Sequence, residues 1–193
     1  MEHELERVLD SCSATWGCAV LMEVKTGDIK AISNLERSKK GDGYIEALNY
    51  AVVGFEPGSV VKPISMMIAL EDGLVNNLEE VIPIGKSWAY AGGRPITDSH
   101  YNGSLRVREV IEQSSNIGMA RIITRGYDSN PKGFVERLRS IGFLDPLNTG
   151  IAGESTPYFN PNPSRVDLSR MCYGYASQIP PIYTCLLYTS DAA

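Results

Sequence analysis

Cysteine and histidine are scarce in this 193-residue chain, which has four Cys and two His. Cys12, Cys18, Cys172 and Cys185 include no Cys-x-x-Cys pair, and only His3 and His100 could join them, so no metal site is expected. The same cysteines do not form a disulfide framework and leave the compartment open. No apolar stretch approaches the roughly 18 residues of a membrane span. The opening Met1-Glu2-His3-Glu4 is acidic, unlike a signal peptide. Excess positive charge is missing too: 18 Lys and Arg against 23 Asp and Glu give a net charge of -5, which argues against a nucleic-acid partner. Internal repeats and low-complexity tracts are absent. What remains is an ordinary globular composition, 43% apolar and 21% charged, long enough for one domain with a real core.

The chain is organised around Glu56-Pro57-Gly58-Ser59-Val60-Val61-Lys62-Pro63. Pro57-Gly58 punctuates the backbone. The apolar run Ile64 to Leu70 has helical length and stops near Asp72-Gly73. Proline is tolerated only in a first helical turn, so Pro63 places the helix start close to Ser59. Residues three apart in that turn share a face, which brings the Ser59 hydroxyl and the Lys62 amine together. A serine hydroxyl is a weak nucleophile until a base takes its proton. Lysine can be that base when burial, or the positive end of the helix dipole, makes its amine neutral. A bare S-x-x-K reads more simply as an N-capping serine followed by a solvated lysine.

The flanks decide between these readings. The segment resembles the active-site segment of penicillin-binding protein transpeptidases, most closely the class B enzymes of bacterial division and elongation. A second motif of that family, S-x-N, is matched by Ser114-Ser115-Asn116, 55 residues after Ser59 and between two helical patterns. The resemblance assigns Ser114 a role in proton relay and Asn116 a role in holding a substrate peptide group, with Ser115 as the variable middle. The segment Ser169 to Tyr175, followed by Gln178-Ile179-Pro180-Pro181, is similar to the family's G-Y-G region.

The remaining segments are read from pattern. Leu5, Val8 and Leu9 mark a short amphipathic helix, and Gly17 to Val24 with Ile29 to Ser33 a β-hairpin. Lys25-Thr26-Gly27 in the turn is a literal K-T-G, the family's third signature, but it precedes the other two motifs and reads as a turn. Residues 34 to 49 are polar, with a loop at 39 to 43, and residues 74 to 104 read as irregular. Trp88 to Arg94 is a surface loop that either borders a groove or only decorates the surface. His100 reads as structural. Asn130-Pro131 opens a packing helix that Gly142 ends. The resemblance covers residues 3 to 184. The stretch Cys185 to Ala193 does not continue it and reads as sequencing-adapter translation. The expected division is therefore a partial transpeptidase domain over 1–184 and a non-native tail over 185–193.

The resemblance implies an α+β fold, an antiparallel sheet with helices on both sides, here the first hairpin and most of the helical lobe. It implies acyl transfer: Ser59 attacks the D-alanyl-D-alanine carbonyl of a peptidoglycan stem peptide, Lys62 acts as base, and a neighbouring strand's amine resolves the acyl-enzyme. β-Lactams would acylate the same serine. It implies no cofactor, and a longer membrane-anchored parent at the cell envelope, active in a cell-wall synthesis complex, for which Met1 is not the true start and whose K-[ST]-G strand lies past residue 184. The 193-residue chain itself is expected to be inactive. A serine β-lactamase or D,D-carboxypeptidase of the same superfamily would share these residues, and a non-catalytic penicillin-sensing domain would bind without turnover.

Overall fold

Two largely apolar strands on either side of a glycine turn build the first hairpin of the structure, a computed structural model that describes residues 1–100 and 102–190. Helix α1 (Glu2–Ser11) precedes it. Strand β1 (Trp16–Met22) pairs antiparallel with β2 (Ile29–Arg37), with a register shift between Leu21 and Met22. Lys25-Thr26-Gly27 lies in the intervening turn. Thr26 Oγ1 donates to Glu23 at 2.9 Å and accepts from the Asp28 amide at 3.1 Å, and Gly27 takes φ +75°, a conformation that favours glycine.

Two features of this region correct the sequence reading. β2 runs past Ser33 to Arg37, because Leu35 is 3% exposed and Asn34 Nδ2 donates to Asn49 Oδ1 at 2.9 Å. The polar stretch after it contains a third strand, β3 (Tyr44–Glu46), paired with residues 35–37. The Tyr44 hydroxyl donates to the Ala14 carbonyl at 2.7 Å and accepts from Arg37 at 2.6 Å. Polar side chains hold a strand here that apolar alternation does not announce.

The chain folds into two compact units, each made of separate segments. The first holds the β1-β2-β3 sheet and comprises Met1–Phe55, Pro146–Pro157 and Ile179–Ala193. The second comprises Glu56–Asp145 and Tyr158–Gln178. In the second unit a 3-10 turn, Gly58–Val61, runs directly into helix α2 (Lys62–Glu71), with Pro63 in the first α-helical turn. Gly73 at φ +69° follows the helix end. The stretch expected to be irregular instead contains an antiparallel ribbon, β4 (Val81–Gly85) with β5 (Asn102–Arg106). Pro83 sits opposite Ser104, and a two-stranded ribbon tolerates proline because each strand has an outer edge with no ladder to break.

Helix α3 (Val107–Glu112) leads to α4 (Asn116–Tyr127), the centre of this unit's core, with Ile117, Met119, Ala120, Ile122 and Ile123 fully buried. Helix α5 (Pro131–Ser140) starts as the sequence signals: the Asn130 side chain accepts from the Gly133 amide at 3.3 Å, and Pro131 opens the first turn. Short strands β6 (Tyr158–Phe159) and β7 (Ser177–Gln178) pair around α6 (Arg165–Met171), which begins with a Ser164–Asp167 capping box. α2 and α6 both pack on α4. In the first unit, helix α7 (Pro181–Ser190) packs on β1 and continues through Cys185, where no helix was expected. No helix among the described residues is long and apolar enough to cross a membrane.

Candidate active site

A 3-10 turn eclipses side chains three residues apart. The turn at Gly58–Val61 therefore stacks Ser59 over Lys62 at the start of α2, a tighter arrangement than the plain α-helical turn expected. Lys62 Nζ lies 3.0 Å from Ser59 Oγ. It lies 3.0 Å from Ser114 Oγ and 2.5 Å from the Ser114 carbonyl oxygen. The structure thus brings three of the expected site residues into direct contact across 52 residues of sequence.

Ser114 is held in the left-handed region at φ 51°, unusual for a residue with a Cβ. In this conformation its carbonyl and its hydroxyl both face the lysine. Lys62 is 2% exposed, while Ser59 is open to solvent. Burial pulls the ammonium pKa down from its ordinary value near 10.5 to about 8, against the opposing pull of the Asp98 carboxylate.

An ammonium has three N–H donors, and Lys62 has three acceptors around it. When the proton leaves, two N–H groups and one lone pair remain. The Ser114 carbonyl has no hydrogen to give and must keep an N–H. The lone pair is left to face a hydroxyl, Ser59 or Ser114, and facing Ser59 it can take the proton of a nucleophile.

Asn116 opens α4, and its side chain donates through Nδ2 to the Thr97 carbonyl at 3.1 Å. It does not touch Lys62 in any described bond, but it lines a cavity beside the Ser114-Ser115 turn.

Sequence reasoning missed two residues that hold this turn. Ser115, read as the variable middle, is buried and caps α4 by accepting from the Gly118 amide at 2.8 Å. Asp98 accepts from Ser115 Oγ at 2.6 Å, from the Asn116 amide at 2.6 Å and from the Ile117 amide at 3.0 Å. The capping serine was readable from the helical pattern that follows it. Asp98 lies too far upstream to form a local motif.

The G-Y-G-like region supports the serine turn from behind. The Gly58 amide donates to the Gly174 carbonyl at 3.0 Å, and Glu56 Oε1 accepts from the Ala176 amide at 2.9 Å. The early Lys25-Thr26-Gly27 belongs to the other compact unit and has no described bond to these groups. Among the described residues, no group of three or more His, Cys, Asp and Glu is placed to hold a metal ion.

The sequence model of the penicillin-binding protein transpeptidase domain matches residues 17–189. The chain is 31% identical over 180 residues to a probable peptidoglycan D,D-transpeptidase, PbpC, of Pseudomonas aeruginosa, covering 89% of this chain and 31% of that protein. It is 28% identical over 195 residues to the peptidoglycan D,D-transpeptidase FtsI of Buchnera aphidicola, covering 96% of this chain and 33% of that protein. The fold superposes on the transpeptidase domain of Burkholderia pseudomallei penicillin-binding protein 3 with a TM-score of 0.79 and 26% identity, over 99% of this chain and 54% of that one. The chain spans about a third of the length of the curated relatives it matches.

Proposed function

The chain belongs to the penicillin-binding protein transpeptidase family, and on that premise we propose that the protein it represents is a serine-type peptidoglycan D,D-transpeptidase with Ser59 as its nucleophile. One observation carries the reading: a buried lysine, its pKa lowered to about 8, is bonded to two serines and a carbonyl, with one of those serines open to solvent. A solvated lysine after a capping serine would be exposed and would keep its ordinary pKa.

In this reading neutral Lys62 takes the Ser59 proton as Oγ attacks the penultimate D-alanine carbonyl of a stem peptide. The tetrahedral adduct collapses, the C–N bond breaks, and the terminal D-alanine leaves. Its amine needs a proton, and Ser114 Oγ, 3.0 Å from the Lys62 amine, can deliver one and be reprotonated by the lysine. Asn116 holds the peptide backbone. The amine of a neighbouring stem peptide then attacks the acyl-enzyme and forms the cross-link. The relatives' names favour cross-linking over the hydrolase alternative. β-Lactams enter as mimics of the dipeptide. The place of action is the bacterial envelope, outside the cytoplasmic membrane, within a cell-wall synthesis complex.

The test is covalent labelling of the full-length protein by a fluorescent penicillin. Ser59 should carry the label and Ser59→Ala should abolish it. Lys62→Ala should slow labelling by about 10²–10⁴-fold, the usual contribution of a positioned base. Undiminished labelling of Ser59→Ala would overturn the nucleophile assignment. Rapid turnover of the penicillin, in place of a lasting label, would favour a β-lactamase.

A further inference from the structure

Seven arginines of the chain, at positions 7, 37, 106, 108, 125, 137 and 165, are paired with carboxylates. Arg94 and Arg170 make no ion pair among the described residues, and both line the same cavity of about 510 Å³. Asn116 of the Ser114-Ser115-Asn116 turn and Tyr175 line it as well, and no Asp or Glu among the described residues does. An open cavity with two uncompensated guanidiniums and no acid has a positive potential, and its chemistry selects an anion.

We propose that Arg94 and Arg170 form a carboxylate-reading subsite, so that Ser59 is acylated preferentially by donors that carry a free acid on the side chain next to the reacting amide. The proposal rests on the acyl-transfer reading above and adds a substrate preference to it.

Arg170 is pre-aimed. One of its N–H groups donates to the Tyr173 hydroxyl at 2.6 Å, and another donates to the Arg94 carbonyl. A guanidinium carries five N–H groups, so the fork keeps donors for a bidentate carboxylate. Arg94 is exposed, lines the same cavity and accepts from this fork through its own backbone carbonyl. Asp98 is the nearest acidic residue in sequence to the cavity's 94–97 wall. Both its oxygens are already engaged, Oδ2 by Ser115 Oγ and Oδ1 by the Asn116 and Ile117 amides. No ion pair among the described residues joins it to Arg94 or Arg170. Asn116 lines this cavity and stands two residues after Ser114, whose hydroxyl bonds Lys62, so the cavity adjoins the turn of the reacting centre.

The test compares two penicillins of nearly the same shape, benzylpenicillin and α-carboxybenzylpenicillin, as acylating agents of Ser59 in the full-length protein. The quantity read is the ratio of their second-order acylation rates, from which the folded fraction of each preparation cancels. Arg94→Gln should lower the ratio of carboxylated to plain penicillin by about fivefold, the scale of a partly exposed charge pair. Arg94→Glu should lower it further, and Arg170→Lys, which keeps charge but loses the fork, should lower it less than Arg170→Gln. Raising the salt concentration should shrink the wild-type ratio. A parallel arm uses stem peptides with the side-chain acid free or amidated, and the free acid should react faster. An unchanged ratio across the Arg94 and Arg170 variants, with Ser59 still acylated by both penicillins, would overturn the subsite and leave the transpeptidase reading standing. No acylation by either penicillin would overturn that reading and the subsite with it.

Discussion

Lys62 concentrates the chemistry into one proton. Its folded pKa of about 8 lies below the ordinary value near 10.5 because burial penalises the charge. The acylation rate should therefore rise with pH through a midpoint near 8 and level off above it, once the amine is neutral. Lys62→Arg should remove that profile, because a guanidinium does not lose its proton in this range. The same shift has a sign for stability. Between about 8 and 10.5 the unfolded chain keeps a proton that the folded chain has released, so this group makes the fold more stable as pH rises across that window. Asp98 works in the opposite direction, since its negative charge favours the ammonium. Asp98→Asn should move the acylation midpoint below 8, as measured by the pH dependence of penicillin labelling. A midpoint that stays in place would show that Asp98 acts on the turn only through hydrogen bonds. The lysine and its serine were legible in the sequence because their contact is local, three residues apart. Asp98 was not, because its three bonds reach Ser115, Asn116 and Ile117 from a loop whose pairing only the fold establishes.

The serine turn is only as rigid as what it leans on. Gly174 has φ +90°, and a Cβ there would lie 1.9 Å from the Gly58 carbonyl oxygen. That contact is with backbone, so no side-chain rotation can relieve it. Gly174→Ala should push the Gly58–Val61 turn away from its place, costing on the order of 1–3 kcal/mol or more by overpacking and positive-φ strain. The melting temperature should fall and Ser59 labelling should slow together. Normal labelling with an unchanged melting temperature would show that the turn is held without Gly174. The sequence identified this region by resemblance but not the reason for its glycine, which is an approach between segments 116 residues apart. The misread elements have the same origin. β4 and β5 pair residues 25 apart, Val81 with Arg106, and their Pro and Gly content conceals a ribbon whose hydrogen bonds are non-local. The helices, by contrast, were legible, because caps such as Asn130 and the spacing of Phe134, Val135 and Leu138 are properties of a few adjacent residues.

For the molecule as a whole, several apolar side chains lie open to solvent. β1 reads Trp-Gly-Cys-Ala-Val-Leu-Met and has no fully buried residue. Leu21 is 56% exposed, and on α2 Met67 and Leu70 are 40% and 46% exposed. The outer edges of β1 and β3 have no partner strand among the described residues, and such edges promote association between chains. Fully burying a Leu or Met side chain contributes about 1.5–3 kcal/mol, so three left about half uncovered forgo roughly 2–4 kcal/mol, a sizeable part of a domain's net stability of about 5–15 kcal/mol. The chain covers 54% of the Burkholderia pseudomallei domain. Expressed alone, the 193 residues should aggregate or melt without cooperativity, and penicillin should not label Ser59. Appending the family's following segment should restore both a sharp melting transition and labelling. A monomeric, cooperatively melting 193-residue chain that acylates at Ser59 would show that the helical unit around α4 holds the serine turn in register without that segment, and the exposed face of α2 would then need a different explanation.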